Sequence, residues 1–236
     1  MNENEAAGRR ALLAQHFLLA QLDDSALDRL LAVASERRFT NGQVIFQKGE
    51  PGTSMMAVLG GRVRISAYSE DGREIILNMV DPGQLFGEIA ILDGKERSAD
   101  ATAMGKTELL ILDRRDFLPF LEQNPKIAVQ LIEVLCGRLR HTSEMVESIA
   151  FLDFGARLAR LLVQMSGHYG KETEDGLLID FKISQADLGN LIASTRESVN
   201  RQLSAWTQEG VIAIDQGKIT ILDQESLEFT AQSSAI

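Results

Sequence analysis

The chain has 236 residues, 44% of them hydrophobic and 25% charged, which supports one large or two modest packed domains and argues against wholesale disorder. Its single cysteine, Cys136, excludes an intrachain disulfide and, with three histidines, a zinc-finger cluster; no apolar run approaches the ~18–20 residues of a membrane span. The net charge of −10 disfavours broad electrostatic attraction to nucleic acid, because phosphate binding is driven by cationic side chains that release counterions.

The first ten residues are polar and do not read as a signal peptide, so the expected location is the cytoplasm, with no membrane association. Residues 9–36 carry a helical pattern in Leu12, Leu13 and Phe17, then Leu27, Leu30, Leu31 and Val33. From about Phe39 to Asp113 the texture changes. Turn pairs recur at roughly ten-residue intervals (Asn41-Gly42, Pro51-Gly52, Gly60-Gly61, Asp71-Gly72, Pro82-Gly83, Asp93-Gly94) between short apolar runs at 43–47, 55–59, 63–68, 74–79 and 108–112. Evenly spaced short strands predict a sandwich, jelly roll or barrel.

A long helix is predicted over 125–149. Ala128, Ile132, Leu135, Leu139, Thr142, Val146 and Ile149 are spaced alternately by four and three residues, a heptad seam that predicts helix pairing and a homodimer. Ile127, Leu131 and Val134 lie beside the seam and can serve the chain's own core. Asp153 reads as the N-cap of a further helix over 154–165. A polar loop is expected over 166–176, then a strand at 177–181, helices at 184–192 and 195–209, and a hairpin of 211–214 and 219–222. Helix, short turn, helix, hairpin is the winged helix-turn-helix order. The tail beyond Asp223 carries little signal. The fold class expected is α+β, divided as an N-terminal β-barrel domain over 1–124, a dimerisation helix over 125–149 and a winged helix-turn-helix over 150–236.

The segment from Phe86 to Ala99 (Phe-Gly-Glu-Ile-Ala-Ile-Leu-Asp-Gly-Lys-Glu-Arg-Ser-Ala) carries chemistry. A glycine at a helix start lets backbone N–H groups approach an anion. Arg97 can neutralise a phosphate with a bidentate fork, and Ser98 adds a hydroxyl donor. Glu88 only accepts, and suits ribose hydroxyls. One anionic centre beside one diol partner describes a cyclic nucleotide; the plainer alternative is a surface helix with a Glu88–Arg97 salt bridge.

The segment 184–203 carries a second chemistry. Ser184 and Thr195 are natural N-caps, and Leu188, Ile192, Val199 and Leu203 would pack two helices together. Arg196, Glu197, Asn200 and Arg201 then occupy the first turns of the second helix, which meet base edges in this motif. From residue 151 onward 7 Lys+Arg face 12 Asp+Glu, a net −5, so base contacts rather than bulk charge must supply specificity. The alternative is a solvated face with a Glu197–Arg201 pair, worth about 0.3–0.5 kcal/mol.

The Phe-Gly-Glu, apolar pair, then Arg-Ser-Ala order resembles the phosphate-binding cassette of cyclic-nucleotide-binding domains. Over nearly its full length the chain resembles the cyclic-AMP receptor protein and fumarate–nitrate regulator family. That resemblance implies a ligand-binding set of Gly87, Glu88, Ile89, Arg97 and Ser98 with Arg138, Thr142 and Ser143 on the long helix. Gly87 and Glu88 would meet the ribose and Arg97 and Ser98 the cyclic phosphate. The paired hydroxyls would contact adenine, one from each subunit, so the implied effector is 3′,5′-cyclic AMP; the alternatives are cyclic GMP, because a hydroxyl both donates and accepts, a cyclic dinucleotide, or no effector. It further implies double-stranded palindromic DNA as target, RNA polymerase as partner, and allosteric placement of two recognition helices. Asn200 departs from the family pattern, which carries glycine there. One cysteine cannot hold an iron–sulfur cluster, and His16, His141 and His168 read as surface residues rather than haem ligands, so no metal, iron–sulfur cluster or haem is expected. No Gly-x-Ser-x-Gly elbow or metal-ligand pair frames an enzyme active site.

Overall fold

The computed structural model describes residues 24–232, so Leu12, Leu13, Phe17 and His16 lie outside it. The chain divides into two compact units. Of the described residues, one unit holds those up to Ala67 with Leu77–Leu139; the other holds Tyr68–Ile76 and those from Arg140 on. No helix among the described residues is long and apolar enough to cross a membrane.

In the first unit, apart from Tyr68 and Glu74–Ile76, which belong to the other, helix α1 (Asp24–Val33) precedes strands β1 (Ser35–Phe39), β2 (Val44–Phe46), β3 (Ser54–Tyr68), β4 (Glu74–Val80) and β5 (Leu85–Phe86). A short helix α2 (Glu88–Asp93), strand β6 (Asp100–Asp113), helix α3 (Arg114–Gln123) and the long helix α4 (Pro125–Phe151) follow. The helical pattern stops earlier than the expected residue 36, because Ser35–Phe39 pairs antiparallel with β6, Ser35 opposite Ile111 and Phe39 opposite Thr107. The first half of β6 pairs with β2, Val44 opposite Thr102, and β6 runs against β3 from Ser54↔Asp113 to Ser66↔Asp100.

The runs expected at 55–59 and 63–68 form one strand, with Gly60-Gly61 not a turn but an irregularity where the register shifts. Gly61 has φ +74°, and a Cβ there would lie 2.2 Å from the Lys106 carbonyl oxygen. Only glycine lets the two strands stay this close.

Strands β3 and β6 are apolar on both faces, and each face meets its own core. Met55, Ala57, Leu110 and Leu112 pack with Leu27, Leu30, Phe117, Ile127 and Leu131 of the helices. The alternate residues Met56, Val58, Leu109 and Ile111 pack with Phe46, Val63, Val80 and Phe86. Burial on both sides explains why these strands read as continuous apolar runs rather than alternations.

The second unit contains the end of α4, then α5 (Phe154–Tyr169), β7 (Gly170–Thr173), β8 (Gly176–Ile179), α6 (Gln185–Leu191), α7 (Arg196–Gln208), β9 (Ile212–Asp215), β10 (Lys218–Ile221) and α8 (Gln224–Ala231). The sheet order is β7-β8-β10-β9, all antiparallel. The polar loop expected over 166–176 is instead the last turn of α5 and the edge strand β7. Met165 and Ser166 are buried, Tyr169 packs on Phe181 at 5.1 Å between centroids, and Asp180 is pinned by both Lys171 and Lys218. The tail beyond Asp223 forms α8, with the Asp223 carboxylate accepting from the Ser226 N–H at 3.0 Å and Leu227 fully buried.

Candidate effector pocket and nucleic-acid interface

In the first unit, β5 ends at Phe86 and Gly87 turns the chain into α2. Gly87 has φ +77°, and a Cβ there would lie 2.8 Å from an Arg97 guanidinium nitrogen. The position therefore excludes side chains twice over, by backbone strain and by the close approach of Arg97. Arg97 is 5% exposed. It donates to the Gly87 carbonyl at 2.9 Å and to Ser54 Oγ at 3.4 Å, and lies over the Phe46 ring at 4.1 Å. Burial holds its pKa below the ordinary arginine value, while the carboxylates of Glu50 and Glu88 oppose that shift; arginine remains cationic throughout. Its backbone is tied to the β2–β3 loop, through Arg97 N–H to the Glu50 carbonyl at 2.8 Å and Gly49 N–H to the Arg97 carbonyl at 2.9 Å.

Glu88 is fully buried. It does not form the salt bridge with Arg97 that a surface helix would show. One carboxylate oxygen accepts from Arg138 on α4, which also donates to the Leu85 carbonyl. The other oxygen, Oε2, is buried with no hydrogen-bond partner, a costly arrangement unless a donor reaches it. Gly87, Glu88, Ile89, Arg97, Ser98 and Arg138 line one cavity of about 50 Å³, with Ile89 and Ser98 solvent-exposed. Thr142 and Ser143 do not line it; both are exposed on α4, within the other unit. The sequence reading missed Phe46 and Ser54, which hold the Arg97 guanidinium. An aromatic residue at the end of an apolar run reads only as core.

In the second unit, Ser184 Oγ accepts from the Asp187 N–H at 3.0 Å and caps α6, and Thr195 Oγ1 accepts from the Ser198 N–H at 3.2 Å and caps α7. Leu188, Ile192, Val199 and Leu203 are buried between the helices, joined by Trp206. Arg196, Glu197, Asn200 and Arg201 are exposed on one side of α7. The Gln185 side chain donates to Asn200 at 3.1 Å, adding a residue of α6 that propensity alone does not single out.

Residues 36–124 match the model of the cyclic nucleotide-binding domain, and residues 156–229 that of the Crp-like helix-turn-helix domain. The cyclic AMP receptor protein of Thermus thermophilus is 33% identical over 86% of this chain and 90% of its own. The chain belongs to the CRP/FNR family of transcription regulators. Another relative, the CRP-like cAMP-activated global transcriptional regulator of Mycobacterium tuberculosis, is 29% identical over 92% of this chain and 96% of its own. The crystal structure of a Thermus thermophilus transcriptional regulator of the CRP/FNR family superposes with a TM-score of 0.69 at 29% identity, covering 85% of this chain and all of that one. Like its family, this CRP/FNR regulator pairs an N-terminal effector module rich in strands with a C-terminal helix-turn-helix.

Proposed function

We propose that this regulator binds a 3′,5′-cyclic nucleotide, with cyclic AMP as its effector, in the Gly87–Arg138 cavity, and that the effector-loaded homodimer binds palindromic DNA through α7. The observation that carries the reading is the pairing of Glu88 Oε2, buried and without a donor, with the buried guanidinium of Arg97 in one cavity. A ribose hydroxyl supplies the missing donor, and the cyclic phosphate replaces the Gly87 carbonyl as the partner of Arg97. Arg138 would hold the Glu88 carboxylate in place. Thr142 and Ser143 would supply the base contacts from the helix pair.

Dimerisation is supported by the apolar seam of α4. Ile132, Leu139, Val146 and Ile149 are 58%, 68%, 61% and 40% exposed, whereas Ile127 and Leu131 of the same helix are buried in the chain's own core. A symmetric dimer offers two recognition helices to two half-sites about one duplex turn apart, ~34 Å. Arg196 and Arg201 would pair with guanine, Glu197 with cytosine, and Asn200 with adenine. The family role makes RNA polymerase the expected downstream partner.

Calorimetric titration with cyclic AMP, cyclic GMP and a cyclic dinucleotide, each with and without a palindromic duplex, tests this. Cyclic AMP is expected to bind tightest, and DNA to tighten it by the same factor that cyclic AMP tightens DNA, because coupling free energies are reciprocal. Binding of DNA at equal affinity with and without every nucleotide overturns the effector mechanism. Cyclic GMP binding tightest overturns the assignment of adenine.

A further inference from the structure

A second cavity lies wholly within the C-terminal unit. It encloses about 70 Å³ between the end of α4, α5 and the last turn of α6. At ~10–15 Å³ for each water, that is room for roughly five water-sized groups, enough for a small ion. Its wall from α5 carries Arg157, Arg160 and Gln164; its wall from α4 carries Glu144 and Ser148. Glu144 and Ser148 sit roughly half a turn round α4 from the seam residues Thr142 and Val146, while the seam residue Ile149 forms part of the wall.

The charges on these walls are not balanced. Arg157 donates to the Ile192 carbonyl at 3.0 Å, but its Nε is buried and has no partner. Arg160 is half-buried and makes no ion pair or hydrogen bond with any described residue. Neither arginine is paired with Glu144, the one carboxylate on the wall, which is exposed. Guanidinium groups taken out of water without a counter-charge are unfavourable. Their planar forks match oxyanions in a way that a lysine would not. Ser148 and Gln164 add neutral donors on either side.

We propose that this cavity is a binding site for a small oxyanion, a tetrahedral phosphate or a short carboxylate, held by Arg157 and Arg160. The site is separate from the Gly87–Arg138 cavity and does not depend on what that cavity binds. Its occupant touches α4, α5 and the residues Leu191 and Ile192 that close the first helix of the reader, so occupancy stiffens the support on which α7 is presented.

The test is calorimetric titration of the full chain with sodium phosphate and, separately, sodium acetate, at ionic strength fixed with sodium chloride. Phosphate or acetate is expected to bind saturably at one site per chain, and the tighter of the two identifies the ligand geometry. Arg160→Gln is expected to weaken that binding at least tenfold. Arg157→Lys, which keeps the charge and loses the fork, is expected to weaken it as well while leaving the chain folded by circular dichroism. Arg97→Ala is expected to leave the isotherm unchanged. A heat signal that fails to saturate, that survives both Arg160→Gln and Arg157→Lys, or that vanishes with Arg97→Ala overturns the site.

Discussion

The guanidinium of Arg97 lies 4.1 Å from the centroid of the Phe46 ring, with Phe86 a further 5.9 Å between ring centroids. The ring face supplies negative potential to a cation that burial has stripped of water. It also fixes the plane of the guanidinium, so the fork is presented before an anion arrives. Phe46→Leu keeps the site apolar and removes the ring. The expected result is a loss of about 1–2 kcal/mol in cyclic nucleotide affinity, roughly tenfold by titration. Arg97→Ala is expected to lose far more. Wild-type affinity in Arg97→Ala would refute the pocket.

Glu88 and Arg138 form the one compensated buried charge pair in the pocket. Arg138→Met leaves the fully buried Glu88 carboxylate without its hydrogen-bonded counter-charge. Removing one partner of a buried pair costs about 3–5 kcal/mol, and the lower figure applies because the Arg138 side chain keeps 28% of its surface exposed. Thermal unfolding of Arg138→Met should begin well below wild type, and the double variant Glu88→Gln with Arg138→Met should recover much of the loss. Equal unfolding midpoints for wild type and Arg138→Met would show that the pair contributes nothing.

Thr142 is exposed on a seam of otherwise apolar residues. Thr142→Ala is expected to weaken cyclic AMP binding by about 1–2 kcal/mol, the cost of leaving a buried base group unpaired, with dimer stability held or raised. Analytical ultracentrifugation alongside calorimetry separates the two effects. A variant that falls to monomers yet binds cyclic AMP as before assigns Thr142 to the dimer instead.

Asp180 bridges Lys171 and Lys218 between the edge strand and the centre of the C-terminal sheet. Hydrogen bonds from the two ammonium groups lower its pKa from 3.8 to about 2. The folded value is depressed, so the stabilisation is fully present above the unfolded value and is lost as pH falls through the folded one. Asp180→Asn should therefore melt below wild type at pH 7. The gap should close between about pH 4 and pH 2. A gap that persists unchanged at pH 2 would mean that the carboxylate charge is not its source.

Much of the fold is legible in the sequence. The caps Ser184 and Thr195, the packing residues Leu188, Ile192, Val199 and Leu203, and the long helix from Pro125 are local signals, and local signals survive folding. The glycine–glutamate turn and the arginine ten residues later are likewise a linear motif. What stayed hidden depends on distant partners. Nothing near Glu88 in the chain points to Arg138. Nothing near Arg97 points to Phe46 or Ser54. Strand β7 looked like a loop because its residues Gly-Lys-Glu-Thr are polar and exposed; it forms because β8 offers an edge and Asp180 holds Lys171. Helix α8 was missed because one buried leucine gives no periodicity to read. Gly60-Gly61 was misread because a glycine pair marks turns and strand irregularities alike.

The pairing of β1 with the far half of β6, Ser35 with Ile111, sets the order of events during synthesis. β1 leaves the ribosome without a partner and stays so until β6 has emerged, and the apolar run of β3 meets only the short strand β5 before then, because its other edge is supplied by the same late strand. Contacts of such long sequence separation form slowly, and a strand with the edge of Met55 to Leu59 that faces β6 still unpaired is open to association with other chains. The effector module thus cannot close before residue 113 is free, whereas α6 and α7 are adjacent in the chain and can pair as soon as they are made. A slowdown of elongation within β3 would lengthen the exposed interval, and one placed after α3 would shorten the competition by giving the sheet time to close.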